Sequence, residues 1–554
     1  MGSPSIKHFA LTISLFFLGI HSAFSNVVND GYTDKRSYNP GDTVKVFVNG
    51  LATYSNCSVS VMNINNVVVD LVTTNVIPQA ATGIDPWENG FGYLQTFTYV
   101  IPASWHSGVY SFENKIFFIV KSATKNAAIT LVYPTNTEEA YNPIGGKSLY
   151  DYNSTNGRSH IVSFQRPYSA WMIQGVRTFS IGLLQWLNTL SSSYDFQLIA
   201  DVDMDDYSEI YNSRLLVVVG HSEYWTRTAR LNFDSFVNNG KDAILLSGNT
   251  MWWQVRYSTD KTQLICYKDT LLDPEQNPLL KTYTWPTASL QYPVLNSIGA
   301  DWPHGAYANK GAYHGVFGFR VLVPNSPLLS GTNVAVHDTI NCQANEDDAT
   351  LFYGIAPNGD PILDTTTLGF CKIEMIAYDW GESLSYPNAP LTGYGTFVAF
   401  RKNATSGNVI NVGNSNWCST YTGSATGGFA GSSVAKIKTI TLNMFNLLLA
   451  GANIYSTPCN CNLATASYTN SMPAVCKVFP NPTSGNVTVK FESMPEEELL
   501  FELYTPMGQL VLSRLLWNTE EERIDISELP EGTYFYLIRD KTNVNSRGEI
   551  IFAR

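Results

Sequence analysis

The chain has 554 residues, of which 44% are hydrophobic and 13% aromatic, while only 14% are charged. A net charge of −12 with no basic stripe excludes nucleic acid as a partner, because phosphate recognition needs clustered Lys and Arg. At ~150 residues per domain the length predicts three or four units.

The first 25 residues read as a secretory signal peptide. Lys7 and His8 precede the apolar run Phe9 to Ile20, and Ala23-Phe24-Ser25 supplies small residues at the cleavage position, predicting a cut after Ser25. That run is too short to span a bilayer and no later segment is long enough, so the expectation is an exported chain without a transmembrane helix. Residues 26–125 alternate apolar and polar positions in short runs, such as Val44-Lys45-Val46-Phe47-Val48, separated by turns such as Asn39-Pro40-Gly41-Asp42. The pattern predicts an immunoglobulin-like β-sandwich.

From residue 126 to about 455 the period changes. Ala128 to Pro134, Phe196 to Ala200, Leu215 to Val219 and Ala243 to Ser247 read as buried strands, with helical faces at Gly182 to Leu190 and Arg227 to Val237. Strands alternating with helices predict an α/β domain. The chain is then irregular and aromatic until the strands Thr396 to Phe400 and Val409 to Gly413, and a helix from about Thr439 to Leu449. Residues 456–477 read as a linker and 478–554 as a separate small β-sandwich. Eight cysteines permit disulfides in an exported protein, match no zinc spacing, and leave the pairing open.

The most telling stretch is Gly220-His221-Ser222-Glu223-Tyr224-Trp225, just past the strand Leu215 to Val219. Open α/β sheets bind ligands beyond the carboxyl ends of their strands. A His and a Glu there can shuttle protons, bind metal, or do one each, or they can merely hydrogen-bond a neighbouring loop. Glu374, in the apolar run Ile373 to Ala377, is a second candidate acid, since a buried carboxylate is expensive unless used or paired with a cation.

Two resemblances follow from particular blocks. The tail Val478-Phe479-Pro480-Asn481-Pro482-Thr483-Ser484-Gly485, with Pro506-Met507-Gly508 and Leu529-Pro530-Glu531-Gly532-Thr533-Tyr534, resembles the type A sorting domain of type IX secretion. It implies handling by that machinery and delivery outside the cell or to its surface. The centre resembles the large subunit of N,N-dimethylformamidase, through Ala140-Tyr141-Asn142-Pro143-Ile144-Gly145-Gly146-Lys147-Ser148-Leu149-Tyr150, Gly220 to Trp225, and Ser247-Gly248-Asn249-Thr250-Met251-Trp252-Trp253.

The second resemblance implies an amidotransferase-like α/β domain and hydrolysis of a formamide or other small amide at ferric iron held by two tyrosinates and one carboxylate. Carried onto this sequence, Glu223 is the carboxylate, Tyr141 one tyrosine and Tyr110 the other, with Tyr168 the substitute. The chemistry of such a site then gives His221 the role of proton carrier, Asn249 that of donor to the oxyanion and Glu374 that of the carboxylate that deprotonates water. Three hard oxygen donors suit ferric iron better than zinc, although Tyr141 or Tyr110 alone also fits a buried, hydrogen-bonded tyrosine, and Asn249 a turn cap. The competing reading is a non-catalytic cell-surface binder of carbohydrate or glycopeptide, which Trp252-Trp253 would suit. A cysteine glutaminase is disfavoured, because the turn after the strand carries His221, Ser222 and Glu223 where such enzymes place a Cys. Substrate, partner subunit and oligomeric state stay open.

Overall fold

The computed structural model describes residues 26–169, 177–307, 313–315, 318–342, 346–383, 392–422, 432–458, 461, 476–491, 499–505, 510–516, 519–539 and 544–553. The chain divides into two compact units, Met1–Cys461 and Asn462–Arg554. The expected signal peptide lies outside the described residues, as does the Pro506-Met507-Gly508 turn.

The first unit begins with a two-sheet sandwich. In Thr43–Gly50 the residues Val44, Val46 and Val48 are wholly buried while Thr43 and Lys45 face water, the two-residue period of a half-buried strand. This strand lies between Val28–Thr33 and Phe97–Val100 in a three-stranded sheet. A five-stranded sheet contributes Val59, Val61, Phe112, Ile116 and Phe118 to the same core.

Behind the sandwich comes a long mixed sheet. Its main elements, in chain order, are β1 (Ile129–Tyr133), α1 (Thr135–Tyr141), α2 (Thr178–Asn188), β2 (Phe196–Ala200), β3 (Leu215–Gly220), α3 (Arg227–Asn238), β4 (Asp242–Ser247), β5 (Lys372–Ser383), β6 (Thr392–Arg401), β7 (Asn408–Asn411) and α4 (Ser432–Leu449). The strand order is β2-β1-β3-β4-β7-β6-β5, with short strands 313–315, 319–321 and 339–340 at the far edge. Pairing is parallel from β2 to β7 and antiparallel from there through β6 to β5.

β1 and β3 are buried at every position because both faces of the sheet are covered. Leu215, Val217 and Val219 join Leu183, Leu187, Ile437 and Phe445 of α2 and α4 on one face. Leu216 and Val218 join Phe233, Phe236 and Val237 of α3 on the other. Val109, Phe117 and Ile119 of the sandwich complete the first of these cores, so sandwich and sheet are one compact unit where the sequence suggested two domains.

Two further differences bear on the site. The polar segment after β1, which carries no apolar periodicity, is the short helix α1. The expected linker starts late: Ser456 is bonded to Glu374, and Cys461 forms a disulfide with Cys371.

The second unit, described by itself, has a three-stranded and a four-stranded antiparallel sheet around Val487, Val489, Phe501, Leu503, Ile524, Ile538 and Ile550. No helix among the described residues is long and apolar enough to cross a membrane.

Candidate functional site

The order β2-β1-β3 reverses direction between β1 and β3, and such a reversal opens a crevice at the carboxyl ends of the strands. α1 leaves β1 there, and the His221 loop leaves β3. Gly220 makes the exit sharp. Its φ is +72°, and a Cβ on it would lie 2.1 Å from Ser180 Oγ.

The loops after β3 and β4 are laced together. Ser222 N donates to Ser247 Oγ at 3.1 Å, Met251 N to Ser222 O at 2.9 Å, and Trp253 N to Glu223 O at 2.9 Å. Tyr224–Thr226 then pairs in parallel with Trp253–Tyr257, which keeps Trp253 beside Glu223. α1 has seven residues, too few to be stable alone. It is held by Asn136 Nδ2 donating to Tyr224 O at 3.0 Å and by Thr137 Oγ1 accepting from Glu223 N at 3.0 Å. Tyr141, its last residue, is thereby fixed relative to Glu223.

Glu223 is the centre of the site and only 2% exposed. Tyr141 donates its hydroxyl to Glu223 Oε2 at 3.0 Å, and Tyr150 reaches Oε1 at 2.8 Å and Oε2 at 3.0 Å. The Trp253 indole N–H donates to Oε1 at 2.8 Å. His221 Nε2 stands 3.9 Å from Glu223 Oε2 and 2.8 Å from Oε2 of Glu346, which also accepts from Asn249 Nδ2 at 2.7 Å. Glu346 comes close because the glycine at 248 lets the chain approach: a Cβ there would sit 2.2 Å from Glu346 O. Behind the phenols, Lys268 Nζ donates to Tyr224 OH at 2.7 Å, which donates to Tyr150 OH at 2.7 Å.

Burial is the largest single influence on each titratable group here, but it does not always decide the direction. It pushes Tyr141 and Tyr150 well above the ordinary phenol range, with the Glu223 charge next in size, so both are neutral donors to the carboxylate. Burial also raises Glu223, against the pull of His221. For His221 burial opposes the charge, but Glu346, with Glu223 and Asp348 behind it, holds the pKa up at about 9. Burial raises Glu346, yet the charge and hydrogen bond of His221, with the Asn249 hydrogen bond, together leave it lowered. Burial lowers Lys268 to about 8.

Tyr141, Glu223, His221 and Asn249 therefore meet in one place. The other expected residues do not join them. Tyr110 lies in the sandwich, where its hydroxyl donates to His106 O at 2.9 Å and its ring stacks on Trp105 with centroids 4.3 Å apart. Tyr110 therefore does not join the cluster: its hydroxyl is spent on its own turn, and it makes no hydrogen bond to Glu223. Tyr168 is buried under the Arg36 guanidinium, 4.8 Å from its ring centroid. Tyr150 is the second phenol that meets the Glu223 carboxylate.

Glu374 is corrected likewise. Its carboxylate accepts from Ser456 N at 3.0 Å and from Ser456 Oγ at 2.5 Å. It sits on β5, four strands from β3, or about 19 Å across the sheet at ~4.8 Å per strand. Glu346 is the additional acid. Its signal in the sequence is Glu346-Asp347-Asp348, three successive acids in a chain with few charges.

Among the described residues no group of three His, Cys, Asp or Glu side chains is placed to hold a metal ion. A metal here would instead use phenol oxygens with a single carboxylate. The donor set fits a hard, highly charged cation: each of the two phenol oxygens lies within 3.0 Å of a Glu223 carboxylate oxygen, and only strong positive charge would draw the protons from phenols this buried.

Residues 67–426, well over half of the chain, match the family described as N,N-dimethylformamidase beta subunit-like, C-terminal. The chain belongs to this family. The match includes all six residues of the cluster, Tyr141, Tyr150, His221, Glu223, Asn249 and Glu346. Residues 477–552 match the secretion system C-terminal sorting domain, which marks the chain for type IX secretion to the cell surface or the extracellular space. Among solved structures, one described as a thua-like protein from Bacteroides uniformis is 11% identical and covers 58% of this chain and 90% of its own. Its TM-score of 0.27 is too low to support any argument. No curated protein matches the chain.

Proposed function

We propose that this secreted member of the dimethylformamidase-like family is an amide hydrolase on an amidotransferase-like frame, with ferric iron held by Tyr141, Tyr150 and Glu223. The observation that carries the reading is the meeting of two phenol hydroxyls on one buried carboxylate, beside an imidazole–carboxylate pair. When bound, a trivalent cation supplies concentrated positive charge that polarises an amide carbonyl and favours ionised oxygen ligands.

The remaining work falls to the chain. Glu346 takes the proton of the attacking water as the water oxygen bonds to the carbonyl carbon. His221, held as an imidazolium by Glu346, gives a proton to the amide nitrogen as the C–N bond breaks. The proton on Glu346 then returns to His221 across 2.8 Å, and both groups are restored. Asn249 spends one N–H on Glu346, fixing the carboxylate, and has a second to offer the developing oxyanion. His221 is 4% exposed and Glu223 2%, which suits a small amide such as a formamide. The glycan-binding alternative gains little from Trp252-Trp253, since the Trp253 N–H is turned inward to Glu223.

The test is an assay of iron-loaded protein on formamide, N-methylformamide and N,N-dimethylformamide, following formate and the released amine. Glu346→Gln is expected to lower kcat by ~10²–10⁴ with iron retained, the usual worth of a positioned acid–base group. An iron-loaded wild type that turns over no amide would contradict the reading.

A further inference from the structure

Lys268 has no role in the chemistry above, yet its position is demanding. It is 8% exposed, and no carboxylate pairs with its ammonium among the described residues. A buried cation without an ion pair is costly unless something nearby needs its charge. Its backbone stands at φ +54°, the left-handed region that a lysine rarely adopts. The two residues before it are held in place, since Cys266 N donates to His160 O at 2.8 Å and Tyr267 N to Thr282 Oγ1 at 2.8 Å.

What the side chain meets is aromatic. The ammonium lies 3.6 Å from the Tyr150 ring centroid and 4.6 Å from that of Trp253, and it donates to Tyr224 OH at 2.7 Å. The Tyr224 hydroxyl passes the polarity on by donating to Tyr150 OH at 2.7 Å. The Tyr150 oxygen thus receives a hydrogen bond on one side while its own proton faces Glu223. The phenol rings of Tyr141 and Tyr150 are neighbours, with centroids 4.3 Å apart, and their hydroxyls interact, but of the two only Tyr150 accepts from Tyr224.

We propose that Lys268, acting through Tyr224, is a positioning residue that makes the two tyrosines of the centre unequal, supplying a hydrogen bond and positive charge to Tyr150 and none to Tyr141. The inference rests on the iron reading above. Charge and a donated hydrogen bond lower the energy of electrons on a phenolate oxygen. The Tyr150 oxygen is then the weaker electron donor to a cation, and Tyr141 the stronger.

The test uses the ferric-loaded full chain and reads the visible tyrosinate-to-iron charge-transfer band. Lys268→Met removes the charge and the relay, and is expected to shift the Tyr150 component to longer wavelength. Tyr224→Phe breaks the relay but keeps the ammonium over the ring, for a smaller shift in the same direction. Lys268→Arg is expected to restore most of the wild-type position, which a general loss of packing would not do. In a Tyr150→Phe background, Lys268→Met should move nothing, because the remaining band belongs to Tyr141. Near-UV circular dichroism of the metal-free forms checks folding, and Tyr224→Phe carries the test where Lys268→Met does not fold. A band unmoved by both substitutions overturns this inference and leaves the iron reading standing. A wild type that takes up no ferric ion overturns both.

Discussion

His221 and Glu346 form a buried pair whose charges each depend on the other. The His221 pKa stands at about 9 when folded against an ordinary 6.5, so the pair contributes its full stability below about 6.5 and loses it as pH rises through 9. Glu346 is lowered, so the same contact also fails as pH falls below the ordinary carboxylate value of 4.5. Urea midpoints of the metal-free protein are therefore expected to fall between pH 6.5 and 9, and His221→Gln to flatten that slope. An unchanged slope would place the titration elsewhere. In the iron-loaded form His221→Ala is expected to keep the metal and lower amide turnover by ~10²–10⁴. Loss of iron in that variant would make His221 a ligand. The motif around Glu223 and Tyr141 was legible in the sequence because both stand in unbroken blocks. Glu346 was not, being 125 residues from the histidine it contacts. Tyr150 lay in full view, but nothing in its spacing reveals that the chain doubles back, with Leu149 N donating to Ala140 O at 2.9 Å and Asn153 Nδ2 to Tyr141 O at 2.9 Å.

α1 shows how a weak element is made rigid enough to carry a functional residue. Glu139, wholly buried, accepts from Arg36 Nη2 at 2.8 Å and from Arg166 Nε at 2.5 Å. Arg36 comes from the sandwich and also donates to Phe164 O at 2.6 Å, so the helix bearing Tyr141 is tied to the sandwich. Glu139→Gln would leave two buried guanidiniums short of negative charge, at a cost of about 3–5 kcal/mol. A chemical denaturation curve checks this, and a change under ~1 kcal/mol would show the network to be dispensable. The same polar character hid α1 from the sequence. Most of its residues face polar or charged partners, and only Ala140 and Tyr141 pack against an apolar cluster, so no 3.6-residue hydrophobic period marks it. The strands β1, β3 and β4 were readable for the opposite reason, since burial on both faces writes itself as an unbroken apolar run.

The chain as a whole keeps the candidate site and the sorting tail in separate units. The tail has its own core and its own sheets, so removing it is expected to leave the first unit folded. The position of the cut matters. Truncation at 475 keeps Cys461 and its bond to Cys371, which closes a loop of 90 residues. A cut before Cys461 removes that bond, worth up to ~4–5 kcal/mol in the chain-entropy account. Thermal melts should therefore show the longer truncate near the wild type and the shorter one clearly below it, with equal melts counting against the bond. The sequence placed a linker at 456–477 by composition alone, and composition does not register that Ser456 and Cys461 are fastened to β5 and to the residue before it.

The central claim is that two particular tyrosines and one glutamate hold a ferric ion. Iron content and the visible charge-transfer band, measured together on the wild type and on Tyr141→Phe, Tyr150→Phe, Glu223→Gln and Tyr110→Phe, test it most directly. The account expects about one iron per wild-type chain with a coloured band, loss or a marked shift of the band in the first three variants, and no change in Tyr110→Phe. A colourless wild type without iron, or a band that Tyr110→Phe removes and Tyr150→Phe leaves alone, would contradict it.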